Sequence, residues 1–392
     1  MVSKIKYLIK YSPVIYNIYF YVFSFIIKFI GVFVKTDNKL ILFNSFGGRK
    51  YDDSPKAIFE LMLNDDRFDE YTLMWALNEP GKYSLPERAV VINANSFSFF
   101  INALKAKVWI TNSSMEKGLC FKKKNTLYIN TWHGTAIKYL GNDVKKEGKS
   151  FKGKSSSVED VFLSQSAYDE EVFKRAFHKN RFYRFGLPRN DELAQEHSIA
   201  EIKEIKSKLG IDEDKKVVLY APTFREFTRN EFNEVVQDIP LNFDKWVDKF
   251  GNNVIILFRA HYEVARHLNV SKYSNVRDVS DYRYLNELML ISDVLISDYS
   301  SIYFDFSILH RPVACYAYDY HLYENNRGMY IDIAKELPCR ICRKEDELLI
   351  ELENIFNDYA KYSEMAAVFQ KKYVTEYGCA GKKVCDEVLG RI

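Results

Sequence analysis

The sequence predicts an α/β fold: two doubly wound parallel-sheet domains facing a cleft, preceded by an N-terminal helical arm. Three observations lead there. The chain has 392 residues, 47% hydrophobic and 28% charged with nine prolines, which supplies apolar surface for full cores and excludes a mainly disordered or collagen-like chain. From Lys39 onward, short apolar runs without strict polar alternation are separated by helical or loop stretches, the pattern of parallel strands covered on both faces. The runs form two series, parted by the charged stretch Glu192 to Lys215, which holds no strand signal and is broken at Gly210.

In chain order, Lys39-Leu-Ile-Leu-Phe-Asn44 reads as a buried strand, Gly47-Gly48 as a turn, and Ser54-Pro55 as the cap and first position of a helix through Leu63. Further strands are expected at Tyr71 to Ala76, Ala89 to Ile92, Val108 to Thr111, Thr126 to Asn130, Asp160 to Ser164 and Arg181 to Phe185. The second series runs through Lys216 to Tyr220, Val254 to Phe258, Val276 to Val279, Val294 to Ile296 and Val313 to Tyr316. The expected units are an arm over 1–36, a first α/β domain over 37–200 and a second over 201–392 that ends in helices. Ligands of such sheets bind beyond the carboxyl ends of the strands, so motifs are sought there.

Net charge is +3, from 56 basic and 53 acidic residues, too small to imply nucleic-acid binding. The distribution is uneven: the arm holds Lys4, Lys6, Lys10, Lys28 and Lys35 and no acid. Its residues Tyr11 to Ile27 are uncharged, but Pro13, Asn17, Ser24 and Lys28 interrupt the apolar pattern and aromatic side chains outnumber leucine. That make-up favours a helix lying in the interface over one that spans, with packing against the protein itself as a third reading. A second basic stretch, Lys117 to Lys154, suits an anionic membrane or a polyanion, or is simply a solvated face. Six cysteines make no disulfide scaffold, and no cleavable signal precedes the fold, so a reducing cytoplasm is expected. Cys339 and Cys342 form a C-x-x-C with Cys379 and Cys385 beyond, but the last spacing is wide for a zinc knuckle, and no metal is expected.

Four segments carry chemistry. Asn130-Thr-Trp-His-Gly-Thr-Ala136 follows a strand directly, so His133 suits a general base, with Thr135 and Lys138 beside it for a substrate. In the second series, Thr223 and Arg225 lie just past the first strand, and Arg259 and His261 just past the second. An arginine fork matches phosphate oxygens, and a histidine beside it can hydrogen-bond a diphosphate. Ile296-Ser-Asp-Tyr-Ser-Ser-Ile302 brings Ser297, Asp298, Ser300 and Ser301 to a third strand end, with Asp305 on the helix that follows. Each is weak alone; three such ends on one domain describe a nucleotide-diphosphate site without a P-loop. Asp319 and Arg327 flank another candidate loop.

The segments Asn130 to Thr135, Gly186-Leu-Pro-Arg-Asn-Asp191, Tyr220-Ala-Pro-Thr-Phe-Arg225, Asp278 to Tyr282, Glu287 to Ser301 and Phe304-Asp-Phe306 closely resemble, in order, the CDP-glycerol glycerophosphotransferase family of teichoic-acid primases and polymerases. The resemblance runs from about Asn38 to about Asp332 and implies a GT-B-like fold. It implies transfer of glycerol phosphate from CDP-glycerol to an acceptor hydroxyl, with CMP leaving and no cofactor. His133 matches the family's proposed base, and Arg225, His261, Ser300 and Ser301 match positions implicated in holding the donor diphosphate, with Thr223 assisting. The acceptor it implies is a polyprenyl-diphosphate-linked saccharide or a poly(alditol phosphate), met by a peripheral enzyme at the cytoplasmic face of the cell membrane. Ala136, Ile137 and Leu187 depart from the family's usual wording, which blurs the subfamily but removes no functional group. A ribitol-phosphate donor and a GT-B glycosyltransferase using a nucleotide sugar are the alternatives.

Overall fold

The computed structural model describes residues 12–144, 158–223, 225, 239–260 and 273–392. The arm forms helix α1 (Pro13–Phe33), opened by Ser12, whose side chain accepts from the Ile15 amide, and by Pro13 at a first-turn position. The first sheet and its helices follow as β1 (Asp37–Asn44), α2 (Asp53–Leu63), β2 (Thr72–Leu77), β3 (Val90–Asn93), α3 (Phe97–Lys105), β4 (Ala106–Thr111), β5 (Leu127–Asn130), β6 (Val161–Ser164), α4 (Ala167–Phe177) and β7 (Tyr183–Arg184). The 3-10 turn Pro188–Asn190 and α5 (Ile199–Lys208) lead to the second sheet. Its elements are β8 (Lys216–Tyr220), α6 (Phe243–Phe250), β9 (Val254–Phe258), β10 (Val276–Asp278), α7 (Leu285–Ile291), β11 (Val294–Ser297), α8 (Ile302–Ser307), β12 (Val313–Tyr316), α9 (Tyr320–Arg327), α10 (Ile333–Glu336) and β13 (Ile341–Cys342). Three helices close the chain: α11 (Glu345–Asn357), α12 (Tyr359–Tyr373) and α13 (Ala380–Leu389).

Strand order is β3-β2-β1-β4-β5-β6-β7 in one sheet and β10-β9-β8-β11-β12-β13 in the other. The assigned pairings are parallel, with Phe43 level with Trp75 and Ile110, and Leu219 level with Leu257 and Leu295. Both sheets therefore reverse winding direction, between β1 and β4 and between β8 and β11, and the crevices that bind ligands in such sheets lie outside those strand ends. The two doubly wound sheets expected from the sequence are present. Their apolar runs are buried on both faces, with Ile41, Phe43, Trp75 and Ile110 in one core and Leu219, Leu257 and Leu295 in another.

The last helix returns to the first sheet. Val384, Cys385 and Val388 of α13 pack in the core of β1 and α2, so the final residues of the chain close the unit that the chain's beginning opens. Asp191 fixes this return by accepting the Ala380 and Gly381 amides at 2.9 and 2.7 Å, at the start of α13.

Helix α1 lies against the first domain along its length. Phe20, Ser24, Ile27 and Gly31, spaced four, three and four apart, form its buried stripe. A Cβ on Gly31 would stand 3.0 Å from Leu104 Cδ2, the Cys120 amide donates to Ser24 Oγ at 2.9 Å, and Lys123 Nζ donates to the Val34 carbonyl. The opposite face is apolar and bare: Phe25, Val32 and Phe33 are 70%, 77% and 75% exposed. By length and composition α1 is able to cross a membrane.

Candidate active site

The loop that carries His133 follows β5. Trp132 adopts φ 55°, a left-handed conformation costly for a bulky residue, and its ring stacks on His133 at 4.1 Å. His133 Nδ1 lies 2.7 Å from the carbonyl of Asn112, just after β4. A carbonyl only accepts, so Nδ1 carries the proton and Nε2 keeps its lone pair. Burial pushes the His133 pKa down, the Asn112 carbonyl and Asp53 oppose this, and the charges of Arg189 and Arg49 add to it. The net result is a neutral imidazole at ordinary pH.

Asn112 also orders the turn after β1. Its Oδ1 accepts the Phe46 amide at 2.8 Å, Ser113 Oγ accepts the Gly47 amide at 3.1 Å, and the Phe46 ring meets His133 edge-on at 5.7 Å. Gly48, at φ +88°, has Ala94 Cβ and Asn78 Oδ1 each 2.9 Å from where a Cβ would sit, so no other residue fits that bend. Exposed Arg49 and Lys50 follow it.

The two domains meet at this loop. A Cβ on Gly134, at φ +137°, would stand 2.9 Å from Ser301 Oγ and 3.2 Å from Arg189 Nη2. The Tyr330 amide donates to the Ile137 carbonyl at 2.7 Å and the Tyr139 amide to the Gly328 carbonyl at 3.1 Å, which places Lys138 in an antiparallel bridge with Met329. Arg189 donates through Nη1 to Asp53 Oδ2 at 2.7 Å and to the His133 carbonyl at 2.9 Å, and through Nη2 to Asp305 Oδ2 at 2.7 Å. Asn190 donates to the other oxygen of Asp305 at 2.7 Å.

Several expected substrate contacts have internal partners. Arg225 is 1% exposed, donates to Asp298 Oδ2 at 2.9 Å and makes a two-pronged contact with Asp319 at 2.7 and 2.9 Å. The rings of Tyr299, Tyr323 and Tyr318 surround it at 5.0, 5.1 and 5.5 Å. The sequence suggests an arginine facing phosphate; in the structure its fork meets Asp298, Asp319 and the Thr223 carbonyl inside the second domain. Asp298 is buried likewise and accepts the Thr223 and Tyr299 amides at 2.9 and 2.6 Å. Ser297 Oγ donates to the Ala221 carbonyl at 2.6 Å, Thr135 Oγ1 accepts from Gln165 at 2.7 Å, and Asp305 serves Arg189 and Asn190. Asp169, beneath Thr135, is fully enclosed, and burial raises its pKa to about 7.

Three expected groups are half-buried, not enclosed. Ser300 and Ser301 are half-buried at the β11 end, and Ser301 lies against the His133–Gly134 loop. Arg259, half-buried at the β9 end, donates through one nitrogen to the Val279 and Tyr282 carbonyls at 2.9 and 2.6 Å. It makes no ion pair among the described residues, and burial lowers its pKa against the opposing fields of Asp52 and Asp281. His261 lies outside the described residues, as does part of the basic stretch. Among the described residues, no group of three or more His, Cys, Asp or Glu side chains is arranged to hold a metal ion.

Sequence reasoning overlooked Arg189 and Asp53. Arg189 lies in the Gly186 to Asp191 motif, and the Pro-Arg-Asn turn with an acidic neighbour was the available signal.

Residues 26–390 match the family described as CDP-Glycerol:Poly(glycerophosphate) glycerophosphotransferase. The teichoic acid poly(glycerol phosphate) polymerase of Bacillus spizizenii is 34% identical over 99% of this chain and 100% of its own length. A solved structure of the wall teichoic acid polymerase TagF, a histidine-to-alanine variant, superposes with a TM-score of 0.83 at 31% identity, covering 94% of this chain and 97% of that one. A histidine-to-asparagine variant of TagF soaked with CDPG gives 0.81 at 32% identity, over 91% and 89%. The chain belongs to the CDP-glycerol:poly(glycerophosphate) glycerophosphotransferase family.

Proposed function

We propose that the chain transfers glycerol phosphate from CDP-glycerol to a hydroxyl of a lipid-borne acceptor in teichoic-acid synthesis. The acceptor oxygen attacks the glycerol-bearing phosphorus, a new P–O bond forms, the P–O bond to the CMP phosphate breaks, and CMP leaves with the electron pair. The acceptor proton goes to His133 Nε2. The observation that carries this reading is the Nδ1 contact with Asn112, which leaves Nε2 as a fixed, neutral base beside the Ser301 end of the second domain. Arg259, Ser300, Ser301 and His261 are assigned to the donor diphosphate, where positive charge and hydroxyl donors meet the charge that develops on the leaving group. Arg225 acts one layer back, holding Asp298 and so the serine loop.

The acceptor is assigned to the membrane by α1. Its buried stripe holds it along the first domain, and its bare aromatic face, with Lys28 and Lys35 exposed beside it, suits insertion into the headgroup layer of an anionic leaflet. The reading assigns the chain to the cytoplasmic face as a peripheral protein. The test of the chemistry is turnover of CDP-glycerol with acceptor by His133→Ala. Loss of about 10²–10⁴-fold in kcat is expected of a missing general base. Retention of turnover removes His133 from that role.

A further inference from the structure

We infer that Arg189 is a positioning residue that makes the placement of the base depend on closure of the two domains; this rests on the reading of His133 given above. Arg189 follows β7, on the first domain, and its guanidinium meets three acceptors: Asp53 on α2, the His133 carbonyl, and Asp305 on α8 of the second domain. The joint has further ties. Asn190 holds the second oxygen of Asp305, and Asn286 of α7 donates to the Arg189 carbonyl at 2.8 Å.

Charge separates this from a phosphate-gripping role. Two carboxylates, 6% and 5% exposed, face one guanidinium, so the cluster is negative overall and repels an anionic donor. What the fork does well is hold planar acceptors in a fixed arrangement, which an ammonium cannot reproduce. The acceptor-side base lies on one domain and the donor-side serines on the other, and reaction needs the attacking oxygen within about 3–3.5 Å of phosphorus. A bridge from the His133 backbone to Asp305 sets that spacing, and the absence of a side chain at Gly134 lets the loops approach.

The test compares Arg189→Met, Arg189→Lys, Asp305→Asn, Asp53→Asn and His133→Ala in the full chain, with steady-state kinetics, pH profiles and thermal unfolding. Arg189→Met is expected to lower kcat about 10²-fold, the scale of a misplaced reacting group, with the donor KM within about threefold. Arg189→Lys recovers little of it, and Asp305→Asn, which weakens the ties of Arg189 and Asn190 to α8 and leaves those of Arg189 to Asp53 and His133, falls between. The charged groups facing His133 are Asp53, Arg189 and Arg49. The acid limb of kcat/KM is therefore expected to move to higher pH in Arg189→Met and to lower pH in Asp53→Asn. Unchanged kcat with a lower melting temperature, or a raised donor KM with kcat intact, overturns the inference. If Arg189→Met does not fold, the kcat of Asp305→Asn decides. A fully active His133→Ala defeats the base reading separately.

Discussion

Replacing Arg225 with methionine separates a phosphate ligand from an internal brace. The guanidinium is buried against Asp298 and Asp319, whose side chains are 1% and 14% exposed. Methionine fills much of the same volume but leaves both carboxylates without their cation, and breaking a buried pair from one side costs about 3–5 kcal/mol. For a unit the size of the second domain, each kcal/mol moves the melting midpoint about 2–4 °C, so the expected fall is about 6–20 °C. Adding Asp298→Asn to Arg225→Met removes one uncompensated charge and recovers part of the loss. The assay is thermal unfolding of both variants beside donor KM at a temperature where each is folded. A midpoint within about 1 °C of the parent, together with a donor KM raised tenfold or more, would refute the bracing argument.

Four further outcomes are expected. Burial holds the His133 pKa below the ordinary histidine value of about 6.5, so the acid limb of kcat/KM falls below that pH; a limb above it contradicts the assignment. The same depressed pKa means that protonation favours the unfolded chain, so this group's contribution to stability declines as pH drops below about 6.5, a trend readable in urea midpoints of the parent against His133→Gln. Gly134→Ala puts a methyl group 2.9 Å from Ser301 Oγ at a φ of +137°, so the loop or Ser301 must shift, and turnover measured as CMP release should fall. Phe25→Glu with Phe29→Glu alters the bare face of α1; losing two rings' insertion, about 3–6 kcal/mol, abolishes flotation with phosphatidylglycerol vesicles, while turnover of a detergent-solubilised acceptor is kept.

Periodicity and strand propensity recovered the sheets because their signal is local: unbroken apolar runs such as Lys216 to Tyr220 have no other comfortable place than a doubly covered strand. The two-residue strand β13 is too short to leave such a signal, and its pairing with β12 comes from tertiary context. The return of α13 to the first core is equally invisible, since helical spacing says which face is buried and not against what. In the candidate site, the placement of His133 beyond a strand end was legible because its loop directly follows the apolar run of β5. Arg189 and Asp53 were not, because they act through partners far away in sequence. For Arg225, residue type signals an anionic partner, and the two it meets within the protein, Asp298 and Asp319, are 73 and 94 positions away in sequence.

Phosphotransfer from CDP-glycerol is decided by acceptor-dependent CMP release from the purified chain given CDP-glycerol, CDP-ribitol or UDP-N-acetylglucosamine, with mass spectrometry of the acceptor product. CMP release that requires both CDP-glycerol and acceptor, with glycerol phosphate added to the acceptor, is the predicted result. Release from CDP-ribitol alone would contradict the donor assignment, and formation of UDP with a glycosylated product would contradict the phosphotransfer itself.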